Sequence, residues 1–138
     1  MKTRITWLED MTFVAQSPSG HALVLDGPPE LGGHNLGPRP MELLLMGMGG
    51  CTAIDVVNIL RKSRQEVRGC EVQIEAERAD NDPKVFTTIH VHFLLTGKDL
   101  SAKHVERAIQ LSAEKYCSAS IMLGQTAKIT HTSEIRAV

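Results

Sequence analysis

Two cysteines sit in helix-compatible, largely uncharged settings: Cys51 in Met48-Gly-Gly-Cys-Thr-Ala-Ile54 and Cys117 in Lys115-Tyr-Cys-Ser-Ala-Ser120. A thiol pair can do chemistry without a cofactor. One thiolate attacks, and the second traps what the first becomes on oxidation. Cys51 shares a helix face with residues 44, 47, 48, 54, 55 and 58 by spacing. By residue physics alone a core thiol is the simpler reading of Cys51. Against it stand the adjacent glycines, which clear space beside the sulfur, and Asp55 one turn on. That carboxylate opposes ionisation of the thiol unless it positions a cation or a water. Cys117 at the start of a short helix would face the positive dipole end, which lowers a thiol pKa, and Lys115 is near. The plainer alternative for Cys117 is a helix-start residue packed beside Tyr116. Cys70 falls on the apolar side of an alternating strand and reads as a small buried hydrophobe.

Other constellations carry less. His90 and His92 share the polar face of a strand, with no third ligand at matching spacing, and read as solvent-exposed histidines. His131 aligns with Ile129 and Ile135 and reads as a hydrogen-bonded core histidine. No Cys-x-x-Cys, His-x-x-x-His, P-loop or GxGxxG pattern is present. The reading is therefore of a chain with no metal and no cofactor.

The chain of 138 residues is expected to form one domain, 1–138. Its formal net charge of -1, without long runs of one sign, points to no nucleic-acid partner and no acidic membrane surface. Aromatic residues, at 4%, are too few for base-stacking platforms. The first residues show no apolar run after their basic ones, so no secretory signal is expected. The uncharged stretch Leu43 to Ile54 is twelve residues, short for a bilayer. The expected location is cytoplasmic, where three cysteines do not make a disulfide framework.

These residues need elements to hold them. Segments 3–8, 11–16 and 21–25 read as strands. Residues 26–40, rich in glycine and proline, form a loop long enough to hint at function. Pro40 suits a helix start and Glu42 its first turn, while Arg61, Lys62 and Arg64 suit its end. The helix between is apolar on nearly all sides, as a buried helix is. Gly47, Gly49 and Gly50 inside it suggest that another backbone or a ligand packs very close. Cys70, Val72, Ile74 and Ala76, then Ile89, Val91, Phe93 and Leu95, alternate with polar residues and predict an antiparallel hairpin turning at Asn81-Asp-Pro83. Residues 100–115 have helical spacing, capped by Asp99 or Ser101. A short helix starts near Cys117 and ends at Gly124, and a strand spans 127–135. The order predicts an α+β fold, with the long helix against an antiparallel sheet. One small sheet cannot cover so apolar a helix, so a homodimer is expected.

Pro40-Met-Glu-Leu-Leu-Leu-Met-Gly-Met-Gly-Gly-Cys51, with Ala113-Glu-Lys-Tyr-Cys117 opening a short helix, resembles the OsmC/Ohr family of osmotically inducible and organic hydroperoxide resistance proteins. The resemblance covers essentially the whole chain. It implies antiparallel sheets packed on a long central helix in an intertwined homodimer, with sites built between subunits where the two cysteines approach. It implies that Cys51 attacks a hydroperoxide and becomes a sulfenic acid, and that Cys117 condenses with it to a disulfide. A dithiol, typically a lipoyl group, then reduces the pair, and no metal is used. The family's peroxidases carry a Glu directly after the helix-opening proline and an Arg aimed at the thiolate. Here Met41 holds the first position and Glu42 follows it, and no Arg stands at the second. Arg39 and Arg4 are the candidate substitutes, and Glu42, Arg39 and Asp55 are the supporting residues. A second function class fits the same scaffold: a dimer binding a small apolar or thiol-reactive ligand without turnover, with Met41, Met46 and Met48 as a soft pocket.

Overall fold

A computed structural model describes all residues, 1–138. The chain divides into two compact units, Met1–Met46 and Gly47–Val138.

The first unit is a three-stranded antiparallel meander of β1 (Arg4–Glu9), β2 (Thr12–Gln16) and β3 (Ala22–Asp26), in that spatial order. Trp7 pairs with Phe13, and Phe13 with Leu25. Asp10 takes a positive φ of 49° to make the tight first turn, and the Trp7 indole N–H donates to its carbonyl at 2.8 Å. The loop that follows is organised by one carboxylate. Asp26 is fully buried, and its Oδ2 accepts from the amides of His34 (2.9 Å) and Leu36 (3.2 Å). Much apolar surface of this unit is nonetheless uncovered: Ile5, Trp7, Leu8, Leu31 and Leu36 are all more than half exposed.

The long helix, α1 (Pro40–Lys62), is capped at its start by the Glu42 side chain. The Arg39 carbonyl accepts from Leu43 N (3.1 Å), while the Glu42 carboxylate accepts from Arg39 N at 2.6 Å. The second unit contains most of this helix, then β4 (Glu66–Arg78), β5 (Phe86–Lys98), α2 (Ala102–Leu111), a π-helical turn (Ser112–Tyr116), α3 (Ser118–Leu123) and β6 (Lys128–Ala137). Ser101 caps α2, its hydroxyl accepting from His104 N. The alternation expected over β4 and β5 is present, with Val72 opposite Phe93 and Ile74 opposite Val91. Ile89, Val91, Phe93 and Leu95 are completely buried, together with Met48, Val56 and Leu60 of α1 and Val105 and Ala108 of α2.

Three expectations change. The sheet is not wholly antiparallel, because β6 pairs parallel to β5. The chain leaves β5, crosses through α2 and α3, and returns in the same direction, which only a long crossover permits. The glycines also divide. A Cβ on Gly49 would lie 3.0 Å from the Ile74 Cδ1, a tight contact that the Ile74 side chain would have to shift to accept, whereas Gly47 and Gly50 face open space within the chain. Finally, α1 is longer than its uncharged stretch. Its most apolar window has a mean hydropathy of 1.8 and is 28% buried, so by length and composition alone the helix could cross a membrane.

Candidate functional site

The two sequence motifs meet inside the second unit. The Sγ atoms of Cys51 and Cys117 and a carboxylate oxygen of Asp55 all lie within 4.8 Å of one another. Cys51 and Asp55 are one turn apart on α1 and half-buried, and Cys117 is fully buried. All three thiols are free. The cysteine pair is therefore assembled by residues of a single chain.

The π-helical turn sets the position of Cys117. Cys117 N donates to the Ser112 carbonyl at 2.8 Å, a bond spanning five residues that closes the wide turn. Its sulfur then accepts from Ser120 N (3.3 Å) and Ser120 Oγ (3.0 Å) and lies 4.0 Å from the Met48 carbonyl, toward which the thiol can donate. Burial pushes the Cys117 thiol up from its ordinary range. The Ser120 hydrogen bonds oppose that push, and the neighbouring Cys51 reinforces it. This corrects the dipole argument. A helix of six residues offers a weak field, and loss of water around the sulfur outweighs it.

Asp55 is held by a relay that sequence reading missed. The Ser112 hydroxyl donates to Asp55 Oδ2 at 3.0 Å, and Thr52 Oγ1 lies 2.7 Å from Ser112 Oγ. Since the Ser112 proton points to the carboxylate, the Thr52 hydroxyl donates to Ser112. Thr52 and Ser112 are both buried, so neither can exchange this partner for water. The signal for this relay was faint: two hydroxyl residues on otherwise apolar helix faces, sixty positions apart.

The remaining candidates have other roles. Arg39 and Glu42 belong to the first unit. The Arg39 guanidinium donates to Asn35 Oδ1 and the Gly37 carbonyl, both at 3.2 Å, and Glu42 caps α1. Arg4 is exposed on β1. Cys70 is half-buried rather than fully enclosed, its thiol pushed up by burial, and it lines a groove of about 460 Å³ with Ala53, Ile54, Val57, Asn58 and Arg61. His90 and His92 are partly buried and engaged with Thr130 and Thr132. His131 stacks on Phe93 with ring centroids 6.2 Å apart, and burial lowers its pKa. Of the three methionines, Met48 is core and Met46 is 60% exposed, so they do not line one pocket.

The model of the OsmC-like protein family matches residues 33–132, which include both cysteines. The chain belongs to the OsmC-like family. This OsmC-like chain is 47% identical over 135 residues to protein YhfA of Escherichia coli strain K12, covering 98% of each. Its fold is similar to the crystal structure of a hypothetical protein from Aquifex aeolicus VF5 (27% identity, TM-score 0.88, 99% of this chain and 96% of that one). It is also similar to an organic hydroperoxide resistance protein OsmC from Legionella pneumophila (17% identity, TM-score 0.68, 97% of each), a likeness of OsmC-like fold alone.

Proposed function

We propose that this OsmC-like protein is a thiol-dependent reductase of organic hydroperoxides, acting in oxidative stress defence. The observation that carries the reading is the meeting of Cys51 and Cys117 sulfurs within 4.8 Å while both remain free. The Cys51 thiolate attacks the terminal peroxide oxygen. The O–O bond breaks, Cys51 becomes a sulfenic acid, and the alkoxide leaves and takes a proton from water or a neighbouring acid to become the alcohol. The Cys117 thiol then attacks the sulfenic sulfur, forming a disulfide and releasing water. An external dithiol, of the lipoyl kind, exchanges with that disulfide and restores both thiols. Burial suits Cys117 to the second role, because a protonated, water-excluded thiol waits for an electrophile brought beside it. The hydroperoxide-resistance name of the Legionella protein supports the substrate class.

The test is a thiol count on reduced protein mixed with an organic hydroperoxide. Rapid loss of two thiols per chain is expected, abolished by Cys51→Ser. In Cys117→Ser a single thiol should disappear and a sulfenic acid should become trappable by dimedone. Retention of all thiols at excess peroxide would overturn the reading.

We also infer a cytoplasmic homodimer. The exposed apolar residues of the first unit and of α1, including Leu44, Met46 and Ile54, exceed what a soluble monomer ordinarily shows. Gly47 and Gly50 allow close approach by another helix. Asp55, bonded to Ser112 inside the second unit, ties α1 into a water-soluble core and favours a second copy over lipid as its cover.

A further inference from the structure

We propose that β6 and α2 form a docking groove for an extended, basic peptide segment of another protein, which joins the sheet of the second unit as a fourth strand. β6 ends the order β4-β5-β6 and pairs only with β5, so every second residue turns its backbone N–H and C=O away from the sheet. Such an edge is a template for another chain, and proteins ordinarily blunt it with a short strand, a proline, a bulge or a charge. β6 runs for ten residues, has no proline and pairs with β5 without a shift in register. Its charged residues, Lys128, Glu134 and Arg136, lie toward the ends. The run Ile129-Thr-His-Thr-Ser133 between them is uncharged at neutral pH, since burial holds His131 below its ordinary 6.5.

The groove beside this edge selects the occupant. α2 packs next to β6 but leaves two adjoining hollows, of about 390 and 260 Å³. Ala113, Glu114 and His131 border both. Ile129 borders the first and Ser133 the second, each two residues from His131 on the same face of the strand. On an added strand, alternate side chains share one face and stand about 6.6 Å apart, so neighbours i and i+2 can each enter one hollow. Glu106, Gln110 and Glu114 recur at four-residue spacing along the opposite wall, and no lysine or arginine borders either hollow. A lysine or arginine of the added strand lays its apolar stem against Ile109 and Ala113 and brings its charge to the carboxylates.

The same carboxylates argue against a second copy of this chain as the occupant. Pairing β6 with β6 would set the acidic row of one copy against that of the other, and like charges placed together select against such a partner. The inference does not rest on the peroxide chemistry, because neither Cys51 nor Cys117 borders the groove.

The experiment uses the full-length, reduced protein and the fluorescein-labelled peptide Thr-Lys-Thr-Lys-Thr-Lys-Thr, followed by fluorescence anisotropy at about 50 mM salt, where charge attraction is weakly screened. Saturable binding of one peptide per chain is expected. The same peptide with Glu in place of Lys should bind at least tenfold more weakly. Two further Lys peptides are N-methylated at alternate residues, one on the Lys amides and one on the Thr amides. Only one set can face β6, so one of these peptides should bind at least tenfold more weakly than the other. Glu106→Lys and Glu114→Lys, both at exposed positions and checked for folding by circular dichroism, should each weaken the Lys peptide at least fivefold. Hydrogen exchange should slow at alternate amides of residues 129–133 when the peptide binds. Absence of saturable binding would overturn the proposal, as would equal binding of the two N-methylated peptides or displacement of the Lys peptide by an equal concentration of spermidine, since either would mean attraction by charge alone. Protection of every amide of residues 129–133 in the protein alone would also overturn it, by showing that a second copy already covers the edge.

Discussion

Ser112 touches both the acid and the hydroxyl that line the thiol site, yet it is not itself a reacting group. Its hydroxyl donates to Asp55 and accepts from Thr52 in a place closed to water. Ser112→Ala is expected to lower the unfolding free energy by roughly 1–3 kcal/mol, since Thr52 keeps a buried hydroxyl with no acceptor. Urea denaturation measures this. The double variant with Thr52→Val should cost less than the sum of the two single changes, because the second removes the group that the first orphaned. An additive double variant would mean that the hydroxyls do not act as one relay. The cysteines of this site were legible because each stands in a distinctive local string. The relay was not, because its hydrogen bonds join residues fifty-seven and sixty apart, and sequence spacing encodes contacts only within one helix or strand. The acidity of Cys117 was misjudged for a related reason: the dipole of a helix can be read locally, whereas the loss of water around a sulfur depends on everything packed above it.

At the scale of elements, the loop of residues 27–39 is pinned at two points that respond oppositely to pH. Burial works to raise the Asp26 pKa, but hydrogen bonding, seen in the amides of His34 and Leu36, outweighs it and holds the carboxyl below its ordinary 3.8. Its contribution is therefore present above that value and lost as pH falls through the lower folded one. His34 Nε2 donates to Asp10 Oδ2 at 2.7 Å, and that hydrogen bond, with the charges of Asp10, Asp26 and Glu9, raises the imidazole above 6.5 against a smaller loss from desolvation. This second contribution is complete below 6.5 and is lost as pH rises through the raised folded value. Asp26 stays ionised throughout that window, so only the outer tie should loosen. NMR titration is expected to show His34 titrating above 6.5 and its pKa falling in Asp10→Asn, while the amides of His34 and Leu36 stay protected in both. Faster exchange of those two amides in the variant would mean that Asp26 alone does not hold the loop. Most strand and helix positions were otherwise accessible from periodicity, as the alternation over β4 and β5 shows, but the π-helical turn at Ser112–Tyr116 was not. The direction of β6 was not, because alternation along a strand is the same whether its neighbour runs parallel or antiparallel. Only the length of the crossover distinguishes the two, and only once the pairing partner is known.

For the whole molecule, the deciding surface is the outward face of α1. Gly47, Gly50 and Ile54 recur along it at helical spacing, Ile54 is 72% exposed, and a Cβ on either glycine meets nothing within 4 Å. In an isolated chain this arrangement is costly. Each glycine weakens the helix by about 1 kcal/mol relative to alanine, and the exposed isoleucine gains nothing in return. In a homodimer the same residues are favourable, because the missing side chains let a second α1 approach closely and the isoleucine is buried by it. The two cases predict opposite responses to one substitution. Gly50→Ala should stabilise a monomer by up to about 1 kcal/mol, whereas in a dimer with helices in contact it should lower the melting temperature, and Gly50→Leu and Ile54→Glu should lower it further. Light scattering is expected to give the wild type twice the chain mass of 15.1 kDa, with Gly50→Leu and Ile54→Glu shifted toward the single-chain value at low micromolar concentration. A wild type that scatters as a single chain, or a Gly50→Ala variant that melts higher at unchanged mass, would show that the face meets solvent and that the helix glycines serve something other than self-association.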